Sequence, residues 1–235
     1  MYMLTGTLNM ADLACRLAAL DINRTQLCGF AFLTVGVSIK MALFPLHSWL
    51  PNAYTYAPSS VSAFIASTST KVSLYIFLRV LFCISGTHFV FGTLQLQNLL
   101  VPLALVAMVS ASTVAIFQDN IKRLLAYSSV AQIGYMVLGI GLANLHGLTG
   151  TVIHLMNHAL MKGGLFLAVG CLIYRTGSPR LQDLKGAGRS MPWTSAAIVL
   201  GGLNLIGVPL TAGFISKWHL LLGTLDRDWW WATGL

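Results

Sequence analysis

The chain alternates long apolar runs with short polar connections. The apolar runs recur along its whole length, and each is close to the roughly 20 residues that a helix needs to cross a hydrocarbon layer. The residues before the first run are more polar and predict a surface connection. The pattern therefore predicts an all-α fold, a polytopic transmembrane helical bundle in a single membrane domain over residues 1–235. We predict its membrane segments at about 26–54, 59–82, 96–117, 124–142, 148–174 and 193–223.

Two of these segments contain helix breakers. The first carries two prolines in FPLHSWLP, a few residues after Lys40, and the sixth is interrupted by Gly207 and Pro209, with Lys217 beyond the interruption. A broken helix leaves backbone amides and carbonyls unpaired, which a membrane protein tolerates only against other protein or in a wet cavity. Paired broken segments in the two halves of a membrane chain indicate an inverted repeat with its site at mid-membrane.

The composition agrees with a membrane location and excludes other classes of protein. Of the 235 residues, 56% are hydrophobic and 9% are charged, with a mean hydropathy of +0.76, whereas soluble domains carry about 25% charged residues. The net charge of +8 comes from 14 basic residues scattered through segments and loops, so no basic stripe indicates a nucleic-acid partner. The cysteines form no CxxC pair and indicate neither a disulfide framework nor a zinc ribbon; they are Cys15, Cys28, Cys83 and Cys171.

Four lysines lie within apolar segments: Lys40, Lys71, Lys162 and Lys217. A charged side chain at the bilayer centre costs about 2.5–3.5 kcal/mol on insertion scales, so four that face lipid would cost roughly 10 kcal/mol. We therefore expect these lysines to face the protein interior or a wet cavity. Snorkelling to the headgroups is the alternative, and it suits a lysine near a segment end, such as Lys217.

His154, His158 and Lys162 follow one another at intervals of four residues in TVIHLMNHALMKGGLFL. On a helix they form a stripe about 12 Å long on one face. Histidine titrates near neutral pH, and burial penalises the charged form of an amine, so such a stripe bridged by water is a proton relay. Three alternatives stay open: a zinc site, an axial haem ligand, or histidines satisfied within the core. Zinc needs a third ligand and haem a histidine on a facing helix, and the chain has no glutamate for an HExxH site.

Four blocks of the sequence resemble one family of membrane proteins. They are KMALFPLHSWLPNAYTYAPSSVSAFIASTSTKVSLYIFLR, DNIKRLLAYSSVAQIGYMVLGIG, HLMNHALMKGGLFLAVG and GLNLIGVPLTAGFISKWHL, which cover most of residues 36–220. In this order they are similar to the antiporter-like proton-translocating subunits that respiratory complex I shares with the multisubunit Mrp-type cation/proton antiporters. The stretch AYTYAPSSVSAFIASTSTKV is most similar to the D-type subunit of the Mrp antiporters, with the complex I subunit of the same type second.

The resemblance implies a role for each titratable residue of the membrane segments. Lys40 matches the family's lysine on a broken helix, which pairs with a glutamate on an earlier helix, and Lys71 matches the bridging lysine of the next helix. The histidine–lysine stripe matches the central polar axis, and Lys217 the terminal protonatable residue on the second broken helix. The implied chemistry is proton transfer and electrostatic switching. It requires no catalytic residue, no metal and no cofactor.

The resemblance also implies a function and partners. We expect a proton-translocating membrane subunit of a multisubunit monovalent cation/proton antiporter in the inner (plasma) membrane, with other membrane subunits, the lipid bilayer, protons and sodium ions as partners. The second hypothesis is a pumping subunit of NADH-quinone oxidoreductase or a related membrane hydrogenase, where any enzyme activity belongs to the whole complex. The third is a haem- or metal-binding membrane protein. Family members have about fourteen helices, and this sequence has no glutamate to pair with Lys40, so we expect a fragment of a longer chain.

Overall fold

The regular structure is helical. The computed structural model describes residues 1–229, and no β-strand occurs among them, which confirms the predicted all-α fold. The α-helices are α1 Tyr2–Thr5, α2 Met10–Ala19, α3 Arg24–Met41, α4 Trp49–Tyr56, α5 Ser59–Leu78, α6 Gln97–Ile116, α7 Ile121–Gly141, α8 Leu145–Thr176, α9 Ala187–Ser190, α10 Pro192–Ile206 and α11 Ala212–Leu225. Two π-helices, Arg79–Ile84 and His88–Thr93, and a 3₁₀-helix, Leu181–Leu184, complete the described elements.

Four helical stretches are long and apolar enough to cross a membrane. They are Ser59–Ile84, Gln97–Ile116, Ile121–Gly141 and Leu145–Thr176, with lengths of 26, 20, 21 and 32 residues. α7 is the most buried of them, because α6, α8 and the short α4 pack around it. α8 packs in addition against α5, α10 and α11, so its faces meet more neighbours than those of any other described helix. The titratable side chains of α8 therefore lie at the centre of the bundle.

The first predicted break separates α3 from α4. Ala42 takes a left-handed conformation with a φ of 60°, and the N–H of Leu43 donates to the Ser38 carbonyl at 3.0 Å, which closes the end of α3. The Trp49 indole N–H, at the start of α4, donates to the Ile39 carbonyl at 2.8 Å. These bonds supply partners for carbonyls that the helix end leaves unpaired. The break is thereby a fixed corner of the bundle.

The second predicted break separates α10 from α11. α10 ends at Ile206, the following Gly207 has a φ of 85° that favours glycine, and α11 begins after Thr211. The N–H of Gly213, in the first turn of α11, donates to Asn204 Oδ1 at 2.6 Å. The carbonyl of Ile206, in the last turn of α10, accepts a hydrogen bond from Lys217 Nζ at 3.0 Å. Side chains therefore satisfy backbone groups that an unbroken helix would pair internally.

A close approach of α7, α8 and α11 fixes the centre of the bundle. A Cβ at Gly139 of α7 would lie 2.2 Å from Thr151 Oγ1 on α8 and 2.6 Å from Leu220 Cδ2 on α11. Only glycine fits there, because real Cβ contacts are far longer than these distances. The three helices meet here about one helical turn from the stripe of α8 described below.

The N-terminal residues form two short helices, where the sequence predicted a surface connection. Asn9 caps α2, because its Oδ1 accepts a hydrogen bond from the Ala11 N–H at 3.0 Å. Leu13 and Leu17, one turn apart on α2, are buried in the core cluster that includes the π-helix Arg79–Ile84. The connection thus covers one side of the bundle with an amphipathic helix.

Candidate functional site

Three titratable side chains of α8 lie inside the bundle. α8 runs unbroken from Leu145 to Thr176, so the spacing of His154, His158 and Lys162 places them on one face. All three have 0% of their surface exposed. The stripe therefore faces the interior of the bundle.

Lys162 is held by α7. Its Nζ donates to the Leu125 carbonyl at 2.8 Å and to Ser128 Oγ. The same carbonyl accepts hydrogen bonds from the Ser128 and Ser129 hydroxyls, at 2.9 and 3.0 Å. The ammonium is thus placed in a polar pocket that hydroxyls and one backbone carbonyl form.

Lys71 approaches the stripe from α5. It is 6% exposed, and its Nζ donates to the Ala66 carbonyl and, at 3.2 Å, to Thr70 Oγ1 of its own helix. Other hydroxyls along α5 also donate to carbonyls, as Ser62 does to Tyr54 at 2.9 Å and Ser73 does to Ser69 at 2.9 Å. The polar character of α5 therefore serves both the lysine and the helix backbone.

His158 lies between these groups without a hydrogen bond of its own. Among residues 1–229 neither its Nδ1 nor its Nε2 has a partner, although both nitrogens are buried. Its ring is parallel to that of His154, with 6.0 Å between ring centroids and 7° between planes. An imidazole whose two nitrogens have no hydrogen-bond partner in the protein can bind or release a proton at either of them.

His154 has both ring nitrogens engaged by neighbouring helices. Nδ1 lies 2.8 Å from Ser216 Oγ on α11, and Nε2 lies 2.8 Å from Gln132 Oε1 on α7. Its ring centroid is 6.4 Å from that of Tyr135, which also belongs to α7. His154 therefore joins α7 to the first turns of α11.

Lys217 stands at the second break. Its Nζ donates to the Ile206 carbonyl and lies 4.6 Å from the centroid of the Tyr135 ring, a distance at which an ammonium is attracted to the aromatic face. The Tyr135 ring is thus close to both Lys217 and His154. This arrangement connects the stripe of α8 to the α10–α11 junction.

We call the five residues Lys71, His154, His158, Lys162 and Lys217 the Lys/His cluster. The charges of Lys71 and Lys162 act on His158, and those of Lys71 and Lys217 act on His154. No aspartate is among the buried residues of the described chain, so no buried carboxylate neutralises the lysines. Charges of one sign therefore share a low-dielectric interior, where each proton that binds repels the next.

Lys40 does not join this cluster. Its side chain is exposed in the last turn of α3, and within residues 1–229 no hydrogen bond or ion pair links it to another of the six predicted residues. Its exposed position, where we expected an interior one, follows from the packing of α3 chiefly against α5, which leaves one side of α3 uncovered within residues 1–229. The role of Lys40 in proton transfer stays a prediction.

Several residues of the site were not predicted from the sequence. Ser128, Gln132 and Tyr135 follow one another at intervals of four and three residues, so they share one face of α7. That spacing of polar groups in an apolar helix was the available signal. For Ser216 the sequence offered no such signal beyond its position next to Lys217.

The geometry of His154 also bears on the metal and haem hypotheses. Both of its ring nitrogens face protein partners at hydrogen-bond distance, so neither is free to ligate without losing one. Across the described range no group of three or more His, Cys, Asp or Glu side chains is arranged to hold a metal ion.

Comparison with known proteins covers the entire chain. Residues 1–235 match the family described as NADH:quinone oxidoreductase/Mrp antiporter, TM. The chain is 45% identical over 231 residues to NADH-quinone oxidoreductase subunit N of Desulforudis audaxviator, an alignment that covers 98% of this chain and 46% of that protein. It is 32% identical over 228 residues to the D-type subunit of the Na(+)/H(+) antiporter of Alkalihalophilus pseudofirmus, covering 97% of this chain and 45% of that one.

The fold is also shared with a solved structure. A chain of the Mrp complex from Dietzia sp. DQ12-45-1b superposes with a TM-score of 0.89 and 30% identity, over 99% of this chain and 42% of that chain. The chain thus spans about half the length of the curated relatives it matches. These matches confirm the resemblance found in the four sequence blocks and the multi-pass membrane fold with two broken helices. The chain belongs to the NADH:quinone oxidoreductase/Mrp antiporter transmembrane family.

Proposed function

We propose that this chain is the proton-conducting part of an antiporter-like membrane subunit that works within a multisubunit complex. The observation that carries the proposal is the Lys/His cluster, in which four of five titratable side chains are at most 6% exposed and no buried aspartate accompanies them in the described range. A membrane protein has no structural need for so many buried cations, since apolar residues of the same size pack at lower cost.

The arrangement suits proton transfer through the interior of the bundle. The charges of Lys71 and Lys162 act on His158, whose ring lies parallel to that of His154 at 6.0 Å between centroids. The Tyr135 ring is close to both His154 and Lys217. A proton that enters at one lysine raises the positive potential at its neighbours, so protons move along the cluster by displacement and need no covalent intermediate. The protein's work is to position the groups and to exclude lipid.

The two kinds of relative favour different complexes. The identity of 45% to an NADH-quinone oxidoreductase subunit N exceeds the 32% to the D-type subunit of an antiporter, which favours a complex that couples proton movement to electron transfer. The sequence contains no GxGxxG nucleotide fingerprint, so in this proposal electron transfer belongs to partner subunits. The antiporter function, with sodium as the counter-ion, is the second candidate. Both place the subunit in the inner membrane among other membrane subunits.

Proton flux in membrane vesicles tests the proposal. Vesicles that carry the complex with the full-length subunit are energised with NADH or with a sodium gradient, and a fluorescent dye reports the pH difference. We expect Lys162→Ala and His158→Ala to abolish the response, because each removes a member of the buried cluster. Lys185→Ala, in the exposed segment after α8, is the matched control and should leave the response unchanged. Wild-type flux in both cluster variants would overturn the proposal, and the gradient that drives flux identifies the complex.

A further inference from the structure

His154 is bound from two sides by groups of different hydrogen-bonding capacity. Gln132 Oε1 lies 2.8 Å from Nε2, and Ser216 Oγ lies 2.8 Å from Nδ1. Ser216 Oγ also lies 2.9 Å from the Gly213 carbonyl on its own helix. A carbonyl only accepts, whereas a hydroxyl donates one proton and accepts others. The numbers of donors and acceptors around His154 therefore limit which of its ring nitrogens can carry a proton.

The orientation of Gln132 fixes the proton on Nε2. Its amide Nε2 faces the Leu205 carbonyl at 3.5 Å, and a carbonyl requires the amide nitrogen on that side. The carbonyl oxygen of Gln132 consequently faces His154. It can only accept, so His154 Nε2 donates to it whether the ring is neutral or charged.

The other ring nitrogen has two consistent arrangements. In the charged ring, Nδ1–H donates to Ser216 Oγ, and the Ser216 hydroxyl donates to the Gly213 carbonyl. In the neutral ring, Nδ1 carries a lone pair, so the Ser216 hydroxyl turns to donate to Nδ1 and leaves the Gly213 carbonyl. One hydroxyl proton cannot serve both acceptors with full strength.

We infer that His154 gains and loses its proton at Nδ1, and that Ser216 is a positioning residue that transmits this change to the first turn of α11. Ser216 does so by turning its hydroxyl between His154 and the Gly213 carbonyl. The inference rests on the proposed function only in that His154 is taken as a proton carrier. It names the ring nitrogen that exchanges and the backbone group that responds.

Ser216 is the hydrogen-bond partner of His154 Nδ1, and the other groups around the ring act on it from a greater distance. The charges of Lys217 on α11 and Lys71 on α5 act on the ring at longer range, and neither ammonium is hydrogen-bonded to it. The His158 ring lies parallel at 6.0 Å and the Tyr135 ring at 6.4 Å, measured between centroids. These groups set how readily the ring is charged, while Ser216 determines where the hydrogen bond goes.

The responding group lies at the junction of α10 and α11. Gly213 donates its N–H to Asn204 Oδ1 at 2.6 Å, and a Cβ at Gly213 would come within 1.9 Å of the Asn204 carbonyl. This turn of α11 is thus in direct contact with α10. A hydrogen bond gained or lost at the Gly213 carbonyl acts on the contact between the two half-helices.

Solid-state NMR on the intact complex in lipid bilayers tests the inference. Labelling with ¹⁵N-histidine reports both ring nitrogens of His154, whose signals are identified by their loss in His154→Gln. Labelling with carbonyl-¹³C glycine and ¹⁵N phenylalanine selects Gly–Phe pairs, of which residues 1–235 contain Gly213–Phe214 and Gly29–Phe30. The second pair lies on α3 and is an internal control.

We expect Nδ1 to lose its proton as the pH rises while Nε2 keeps its own, and the Gly213 carbonyl shift to move over the same pH range. The movement at Gly213 should persist in Ser216→Thr, which keeps the hydroxyl, and vanish in Ser216→Ala, with Gly29 constant throughout. A Gly213 signal that is static in the wild type, or that moves equally in Ser216→Ala, would overturn the inference, as would loss of the Nε2 proton first.

The outcome is separable from that of the proposed function. If Gly213 follows His154 but proton flux in vesicles survives His158→Ala and Lys162→Ala, the hydrogen-bond switch stands and the transport proposal fails. If flux depends on the cluster but Gly213 is static, transport stands and the role of Ser216 is refuted.

Discussion

Replacing Lys162 by methionine separates the proposed role of this residue in proton transfer from its role in packing. The two side chains are similar in length, so methionine fills the space of the lysine stem. The lost contacts are the hydrogen bonds from Nζ to the Leu125 carbonyl and to Ser128 Oγ. Neither group is left unpaired, because the Ser128 hydroxyl itself donates to the Leu125 carbonyl.

The magnitude follows from the burial of Lys162. Hydrogen bonds from a charged donor contribute about 1.5–3 kcal/mol each. Desolvation of an ammonium whose exposed fraction is 0% opposes them with several kcal/mol. The two effects cancel to within about 1–2 kcal/mol. The unfolding temperature of Lys162→Met should therefore lie within a few degrees of the wild-type value or above it. Leu165→Ala, one turn along α8, is the reference, because a cavity there costs about 2–5 kcal/mol.

The assay measures the thermal unfolding of the purified complex and the proton flux of the same complex in vesicles. We expect Lys162→Met to abolish flux and keep the unfolding temperature, and Leu165→Ala to lower that temperature by several degrees. A Lys162→Met complex that unfolds as early as the Leu165→Ala complex would show that the lysine is a structural donor, and the argument from burial would be refuted.

Three further predictions concern packing and the surface. Gly139→Ala should lower stability by about 1–3 kcal/mol, because the added methyl overlaps Thr151. Gly164→Ala on α8 is the control and should leave stability unchanged, because nothing lies within 4 Å of a Cβ there. Differential scanning fluorimetry of the complex compares the two variants. Asp12→Asn should leave the unfolding temperature unchanged, since its ion pair within α2 is exposed; a fall of several degrees would contradict this. Lys122→Ala should make the corner between α4 and α5 more open to proteolysis, because Lys122 Nζ donates to the Ala57 carbonyl there at 2.9 Å. Equal cleavage rates in the variant and the wild type would count against this prediction.

The features that the sequence predicted are those that depend on spacing along one helix. The stripe of α8 required only an unbroken helix, and the spacing of four residues then placed His154, His158 and Lys162 on one face. The second break required only Gly207 and Pro209, which no membrane helix accommodates without a partner for its backbone. Both features are local, and tertiary packing preserved them.

The features that the sequence did not predict depend on how helices rotate against one another. Gln132 and Ser216 reach His154 from positions 22 and 62 residues away in the chain. Apolar residues occur on every side of α7, so its hydrophobic pattern does not define which face meets α8, although Ser128, Gln132 and Tyr135 share one face. The exposure of Lys40 has the same origin, because the number of neighbours around α3 is a property of the assembled bundle.

The same side chains that carry the proposed chemistry also satisfy the broken backbone. The last carbonyls of α10 have no helical partners, and those of Leu205 and Ile206 accept hydrogen bonds from Gln132 and Lys217. Under the proposed function Lys217 gives up its proton; the neutral amine then still donates to the Ile206 carbonyl, but the bond is weaker because charge-assisted hydrogen bonds are about twice as strong as neutral ones. Each protonation change at Lys217 therefore alters the strength of a contact between α11 and α10. The break gives this contact its weight, because the Ile206 carbonyl lies at the end of α10 without a helical partner, whereas the Leu125 carbonyl that accepts from Lys162 lies inside the continuous helix α7.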